Sequence, residues 1–381
     1  MLCASPSVCL TNLLLITGIR KSNVPRFKFR SFCMTLLHPF PFLMYLVMFH
    51  KIIVLILLDG RSFFSDSKAR IFSSFSSILS VVLWHIIYFH KNKIHSLLAN
   101  CHQNPAHKSY TNNSYQNKSD YKISFCFISL NFFTIFIMPA CLVLSKSVSL
   151  YIDCWIPSFI KSESNCINYV ILFFTFFLYF AELIFPSTIF LLIFCFLTLN
   201  LVHNLEEAKY VIKVSNVWHD SISYHSQLHE KLIKRVESFD KTFSLPIFIL
   251  LCLMTTVAFT GLALEIEPTG LNLQHIVEGF LCLYFSVIGI ITVIHVASKV
   301  SQQLDEINRL YRKNYESIVV KNESPFTPNE VKKLAILKVI CKRPIIKLTA
   351  WKLFCLDKSL LFPIFGTMLT YGFLIIQLRD K

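Results

Sequence analysis

Polar side chains set inside long apolar runs are the residues of this chain that could do chemistry. The chemistry they suit is recognition and passage, not bond-making. The last such run, residues 359–378 (SLLFPIFGTMLTYGFLIIQL), is long enough to cross a bilayer and holds no charge. On a helix, Ser359, Gly366, Thr370 and Gln377 fall within about 40° of one line. Pro363, Phe373 and Leu374 border that stripe, and Leu361, Phe365, Met368, Ile375 and Ile376 form the far face. A helix surrounded by lipid gains nothing from a polar seam, whereas one with water or other helices on that side does. Thr370 and Gln377 are therefore candidates to line an aqueous path. The alternative is that Gln377 joins two helices by a hydrogen bond.

Ionisable groups inside other apolar runs are costly to bury unpaired and so invite a role. They are Lys51 and His50, His85 beside Trp84, Glu182, and His275 with Glu278. Each could be a structural pair or a snorkelling side chain, or could face a ligand cavity in the outer half of a helix bundle. For such a cavity the candidate walls are Tyr169, Phe173, Glu182, Thr256, Thr260, Glu278 and Tyr284, with aromatic faces to stack on an organic ligand and a few polar groups to orient it. The 37 Phe residues make any one aromatic cluster cheap.

Signatures of catalysis are missing: GxSxG, Walker A and HExxH do not occur, and no enzyme is expected. His225 and His229, four apart on a polar helix, could share a metal but read better as a solvated face. The 13 cysteines are scattered, with no metal-finger spacing, so neither metal nor cofactor is expected. Cys154 and Cys166 share one outside loop and are a possible disulfide.

The elements that must position these groups follow from composition. The chain is 54% apolar and 15% charged, with mean hydropathy +0.56. Its apolar residues come in blocks too long for core helices, at 36–58, 71–90, 123–144, 167–202, 245–265, 273–297 and 359–378. That is an all-α, polytopic, seven-transmembrane bundle. The fourth block is long enough to tilt steeply or to continue as a helix beyond the membrane. With the N-terminus inside, cytosolic segments carry 29 of the 37 Lys and Arg. The same orientation puts the sequons at Asn112, Asn117 and Asn322 in cytosolic loops. A short apolar run, Val8–Ile19, lacks the basic start of a secretory signal and reads as a retained interfacial helix. The net charge of +15 belongs to loops beside anionic lipid, and nucleic acid is not an expected partner.

The resulting organisation is a cytosolic N-terminal segment (1–35), six spans with their loops (36–297), a cytosolic helical segment (298–358), the seventh span (359–378) and an extracellular end (379–381). Within it Leu228, Leu232, Val236, Phe239 and Phe243 recur as one helix face does. Val300, Leu304, Ile307, Tyr311, Asn314 and Ile318 make a short heptad seam flanked by Glu306, Arg309 and Lys313. Pro325 and Pro328 break that helix. A new one begins near Thr327 or Asn329, with Glu330 early, and runs through Ile340.

One stretch resembles a known family. Thr370-Tyr371, the five residues Gly372 to Ile376, then Gln377-Leu378 are similar to the TYhhhhhQF signature of arthropod gustatory receptors, with Leu378 in place of the final Phe. The run Thr349 to Leu361 is similar to what precedes that signature in the family. The resemblance covers about 30 C-terminal residues closely, and the rest by chain length, helix count and long third and fourth loops. It implies a ligand-gated, non-selective cation channel in the plasma membrane of a sensory cell, opened by a small organic tastant. It also implies a homo- or hetero-tetramer anchored by cytosolic helices, with the seventh helix around a central pore and Gln377 and Leu378 at the constriction. There a ring of Gln amides would present dipoles without net charge, and rings of Leu378, Phe373 or Leu374 would close by dewetting. Two other functions compete. A G-protein-coupled receptor fits seven spans, but span 3 ends without an Asp/Glu-Arg-Tyr-like triplet and span 7 lacks Asn-Pro-x-x-Tyr. A transporter would more often show an internal repeat.

Overall fold

The computed structural model describes residues 45, 46, 49, 67–102, 165–214, 222–266, 273–321 and 327–379. Most of the first span, all of the third, the run Val8–Ile19, the three sequons and Cys154 lie outside the described residues. In chain order the elements are α1 (Ser67–His102), α2 (Asn165–Val214), α3 (Ile222–Ile266), α4 (Leu273–Lys321), α5 (Pro328–Lys342), the hairpin strands β1 (Thr349–Ala350) and β2 (Phe354–Cys355), a 3₁₀ turn (Lys358–Leu360) and α6 (Leu361–Arg379). Apart from that hairpin the regular structure among the described residues is helical. The helices α2, α3 and α4 have 50, 45 and 49 residues. At about 1.5 Å per residue each far exceeds the roughly 30 Å of a hydrocarbon core. Among the described residues Ala181–Val214, Ile222–Leu264 and Ile276–Val320 are long and apolar enough to cross a membrane. The chain is a polytopic helical membrane protein.

Two compact units divide it. One holds Ile249–Ile290, the residues before Phe194 and those from Phe362 onward; the other holds Phe194–Phe248 and Ile291–Leu361. Each of α2, α3 and α4 contributes to both.

In the first unit two local problems are solved by neighbouring helices. Pro186 lies inside α2 and cannot donate to the carbonyl of Glu182. The Ser80 hydroxyl of α1 supplies the missing donor at 2.6 Å. The Glu182 carboxylate is buried and accepts from Ser77 at 3.2 Å. This intramembrane acid is thus part of an α1–α2 tie. Replacing Ser80 with Ala is expected to leave the Glu182 carbonyl without its donor and to cost about 1–3 kcal/mol. The check is a lower melting midpoint of the purified protein, restored when Pro186→Ala returns a backbone N–H. The second close fit is between α3 and α4. A Cβ on Gly261 would lie 2.7 Å from the Gly279 carbonyl and 3.0 Å from Leu283 Cγ. Only glycine allows that approach. Gly261→Ala must push the helices apart, and a comparable loss, about 1–3 kcal/mol, is expected from overpacking; Gly261→Ser should lose at least as much.

In the second unit the two seams read from the sequence form the core. Leu232, Val236, Phe239 and Phe243 of α3 are buried, as are Val300, Leu304, Ile307 and Tyr311 of α4. Phe194 of α2 sits 6.0 Å and 5.9 Å from the rings of Phe239 and Phe243. Lys209 of α2 pairs with Glu306 of α4 at 2.6 Å. His225 and His229 are not on a solvated face as the sequence suggested. Both are buried, with their rings edge-on to Tyr311 at 6.2 Å and 5.7 Å. The physical reason is register: 225, 229, 232, 236, 239 and 243 are one continuous stripe, and the two imidazoles extend the apolar seam at its polar end. Among the described residues no three His, Cys, Asp or Glu side chains converge as metal ligands would.

The start of α5 follows the expected chemistry. Thr327 is its N-cap, Pro328 occupies the first turn, and Thr327 and Glu330 form a reciprocal capping box. Hydrogen bonds from Thr327 hold the exposed Glu330 carboxyl below its usual range. Burial pushes the Cys341 thiol at the other end upward.

Candidate pore helix and its supports

The terminal helix is launched by a short, tightly held connector. Thr349 of β1 donates its backbone N–H to Asp240 of α3 at 2.7 Å, and its hydroxyl donates to the same carboxylate at 3.0 Å. The hydroxyls of Ser244 and Thr349 are 3.1 Å apart. The Trp351 N–H donates to the Ser244 carbonyl at 2.9 Å, two residues before the helix-interior Pro246. Thr349 pairs with Cys355 and Ala350 with Phe354 across the hairpin. Leu353 N–H closes the turn on the Ala350 carbonyl at 3.0 Å. Both central residues of that turn are left-handed, Trp351 at φ 50° and Lys352 at φ 58°. For non-glycine residues this costs about 1–3 kcal/mol each and persists only where the surroundings enforce it. The clamp on Asp240 and Ser244 is that enforcement.

Beyond the hairpin, Asp357 caps the 3₁₀ turn, accepting from the backbone N–H of Ser359 at 3.1 Å and from its hydroxyl. Lys347 reaches the same carboxylate at 3.1 Å. The Ser359 hydroxyl first, then Lys347, hold the Asp357 carboxyl below its usual range, and Asp357 in turn raises Lys347. The helical span begins at Leu361, two residues later than the apolar run, because Lys358–Leu360 is spent on the tighter turn.

Along α6 one face packs on its own chain and the opposite face does not. Met368 and Gly372 are buried, and Tyr371 is half-buried. Tyr371 packs tilted on Phe259 of α3 with ring centres 4.3 Å apart and meets Phe72 of α1 edge-on at 5.5 Å. Phe72 and Phe259 are themselves 5.9 Å apart, so three helices share one aromatic triad. Ala263 and Leu264 pack beside Tyr371. On the other face Phe362, Leu369, Thr370, Phe373, Leu374 and Gln377 are exposed, with Phe373 at 64% and Leu374 at 50%. A Cβ on Gly366 would meet nothing within 4 Å. The Thr370 hydroxyl is satisfied by its own helix, donating to the Gly366 carbonyl at 2.9 Å. The side chain of Leu378 lies outside the described residues. The polar stripe of the sequence thus coincides with the face that this chain leaves open.

The residues read as ligand-cavity walls fall into groups. Tyr169, exposed, and Phe173, half-buried and stacked on Phe177 at 6.5 Å, stand near the start of α2. Thr256 and Thr260 are buried and spend their hydroxyls on the Cys252 and Thr256 carbonyls at 2.8 Å and 3.1 Å. They flank Phe259 of the triad. Glu278 and Tyr284 are half-buried. Glu182 is held in the α1–α2 tie. Cys166 is an exposed free thiol. Tyr371, Asp240 and Thr349 carry contacts that single-residue reading of the sequence did not single out. Tyr371 lies about 100–120° around the helix from Thr370 and Gln377, on the flank of the Met368 face, and periodicity alone did not mark it. Tyr371→Ala is expected to remove two aromatic contacts worth about 0.5–1.5 kcal/mol each beyond their area. A lower melting midpoint checks this, with Tyr371→Phe retaining most of it because the phenol ring and not the hydroxyl makes the contacts.

No protein-family model matches the sequence, and no curated protein resembles it in sequence. The likeness is in structure. The insect olfactory receptor OR5 from Machilis hrabei, in complex with eugenol, superposes with a TM-score of 0.68 at 17% identity, covering 98% of this chain and 97% of that chain. A second structure of that receptor gives a TM-score of 0.66 at 17% identity, covering 98% of this chain and 100% of that one. The chain has the fold of an insect olfactory receptor.

Proposed function

We propose that this chain is a subunit of a ligand-gated, non-selective cation channel, a chemoreceptor opened by a small organic molecule. The observation that carries the reading is the two-faced terminal helix. It is bound to its own chain through Tyr371, with Met368 buried beside it, and it presents Thr370, Phe373 and Gln377 away from it. Four such helices around an axis would enclose a pore lined by hydroxyls and amides, with apolar rings able to exclude water. The olfactory-receptor fold supports the class, and a relative of that fold bound to eugenol supports an organic ligand. The TYhhhhhQL ending supports the gustatory kind, in the plasma membrane of a sensory cell, as a homo- or hetero-tetramer. The ligand would lie in the first unit near Thr256, Thr260, Glu278 and Tyr284. It must bind the open form more tightly to open it.

The test is cysteine accessibility in cells expressing the chain. Thr370→Cys and Gln377→Cys should react with aqueous thiol reagents and lose current, whereas Met368→Cys should not. Reaction at 368 with silence at 370 and 377 would sink the proposal. Glycosylation of native protein at Asn112, Asn117 or Asn322 would reverse the orientation and favour a G-protein-coupled receptor.

A further inference from the structure

The left-handed hairpin tip carries residues that a water-facing turn would not use. Turns of this hand are ordinarily filled by Asn and Gly, which adopt positive φ at little cost. Here the two left-handed residues are Trp351 and Lys352, and Leu353-Phe354 follow. The apolar groups are not folded inward: Trp351 is 55% exposed, Leu353 61% and Phe354 49%. The depth of the tip is set by its neighbours. The Trp351 ring lies 5.2 Å from Phe248, in the first turn of the apolar half of α3, and the chain leaves β2 through one capped turn into the apolar α6. The apolar half of α3 therefore begins beside the tip in space, and α6 begins nine residues after Lys352. Charge agrees with a boundary position. From Pro344 to Leu361 the bases are Lys347, Lys352 and Lys358, and the one acid, Asp357, is already paired with Lys347.

Tryptophan at the headgroup level, with lysine reaching outward, is the composition of a membrane interface. The geometry points to a lipid anchor: Trp351, Leu353 and Phe354 dock into the interfacial layer of the leaflet next to the hairpin, and Lys352 and Lys358 face its anionic headgroups. The distribution of basic residues makes that the cytosolic leaflet, which is the anionic one. The occupant of this surface is phospholipid, not a second protein. The strained turn is then the means of holding an indole and an ammonium side by side at the lipid surface, beside the entry to the terminal helix.

The experiment uses the full chain in nanodiscs of phosphatidylcholine and phosphatidylserine. Quenching of tryptophan emission is compared for phospholipids brominated near the headgroup, phospholipids brominated deep in the acyl chain, and aqueous acrylamide. The chain has four tryptophans, so Trp351 is read by difference. Trp351→Phe should lose shallow-bromine quenching and leave deep-bromine and acrylamide quenching unchanged. Phe354→Trp should gain shallow quenching, and it tests the surface independently if Trp351→Phe folds poorly. Loss of acrylamide quenching instead would place the indole in water and overturn the anchor. No change with either quencher in both variants would mean that protein covers the tip, a second copy of the chain included, and would overturn it equally.

Discussion

Cells expressing Gln377→Lys are expected to pass at least about tenfold less cation current than the parent at equal surface expression, a change of about 1.4 kcal/mol in the barrier. The Gln377 side chain is exposed on the face of α6 opposite the buried Met368. An amide there offers a permeating cation a dipole, whereas an ammonium offers a full like charge. Even in a water-like dielectric one unit charge at about 4 Å costs a cation roughly 1 kcal/mol, and a symmetric ring of subunits multiplies the penalty. Gln377→Glu should have the opposite sign, raising current carried by divalent relative to monovalent cations. Gln377→Asn keeps the dipole and should stay near the parent. Whole-cell recordings with surface biotinylation decide it. If Lys and Glu leave conductance and reversal potential unchanged, Gln377 does not face the ions. If Gln377 instead joins helices within one chain, the Lys and Glu variants should share a loss of stability and not differ by the sign of their charge.

What the sequence disclosed and what it concealed divide along one physical line. Patterns carried by a single helix were legible. Of the seam from Leu228 to Phe243 all but the half-buried Leu228 are buried, and of the heptad from Val300 to Ile318 the members through Tyr311 are buried and Asn314 and Ile318 half-buried. The cap at Thr327–Glu330 is formed, and Thr370 and Gln377 of the α6 stripe are exposed. Groups whose role depends on a partner far along the chain were not. Glu182 read as a possible ligand group because its neighbours in sequence are apolar, yet its hydrogen-bonding partners are on α1, more than a hundred residues earlier. His225 and His229 were assigned to solvent because imidazole is polar, although their register already placed them on the buried stripe. Nothing in the sequence pattern marks the hairpin. Two strands of two residues carry no periodicity, and Trp-Lys is the wrong dipeptide for the turn it makes. The open face of α6 was visible as a stripe, but which way it points was not, because the opposite face is defined by Phe72 and Phe259 on other helices.

Asp240→Ala should be the most disruptive single change outside the membrane runs. Its carboxylate accepts both the backbone N–H and the hydroxyl of Thr349. Hydrogen bonds to a charged acceptor contribute about 1.5–3 kcal/mol each, so losing two at this half-buried position is expected to cost about 2–3 kcal/mol after water repays part of it. The consequence extends past the lost bonds. The turn at Trp351 and Lys352 holds a strained backbone only while β1 is clamped to α3. Without Asp240 the strain is relieved by releasing the hairpin, which takes the Trp351–Ser244 bond with it. Because only five residues separate Cys355 from Leu361, a freed hairpin also frees the first turn of α6. The expected result is a melting midpoint lower by about 2 °C or more, together with a ligand-evoked current that loses amplitude at unchanged surface expression. Asp240→Asn keeps one acceptor oxygen and should fall between parent and Ala. Thr349→Val, which removes the hydroxyl but not the N–H, should resemble Asn, and the double variant Asp240→Ala/Thr349→Val should be little worse than Asp240→Ala alone. Additive losses in that double variant would mean that the two side chains act separately and that no clamp joins α3 to the terminal helix.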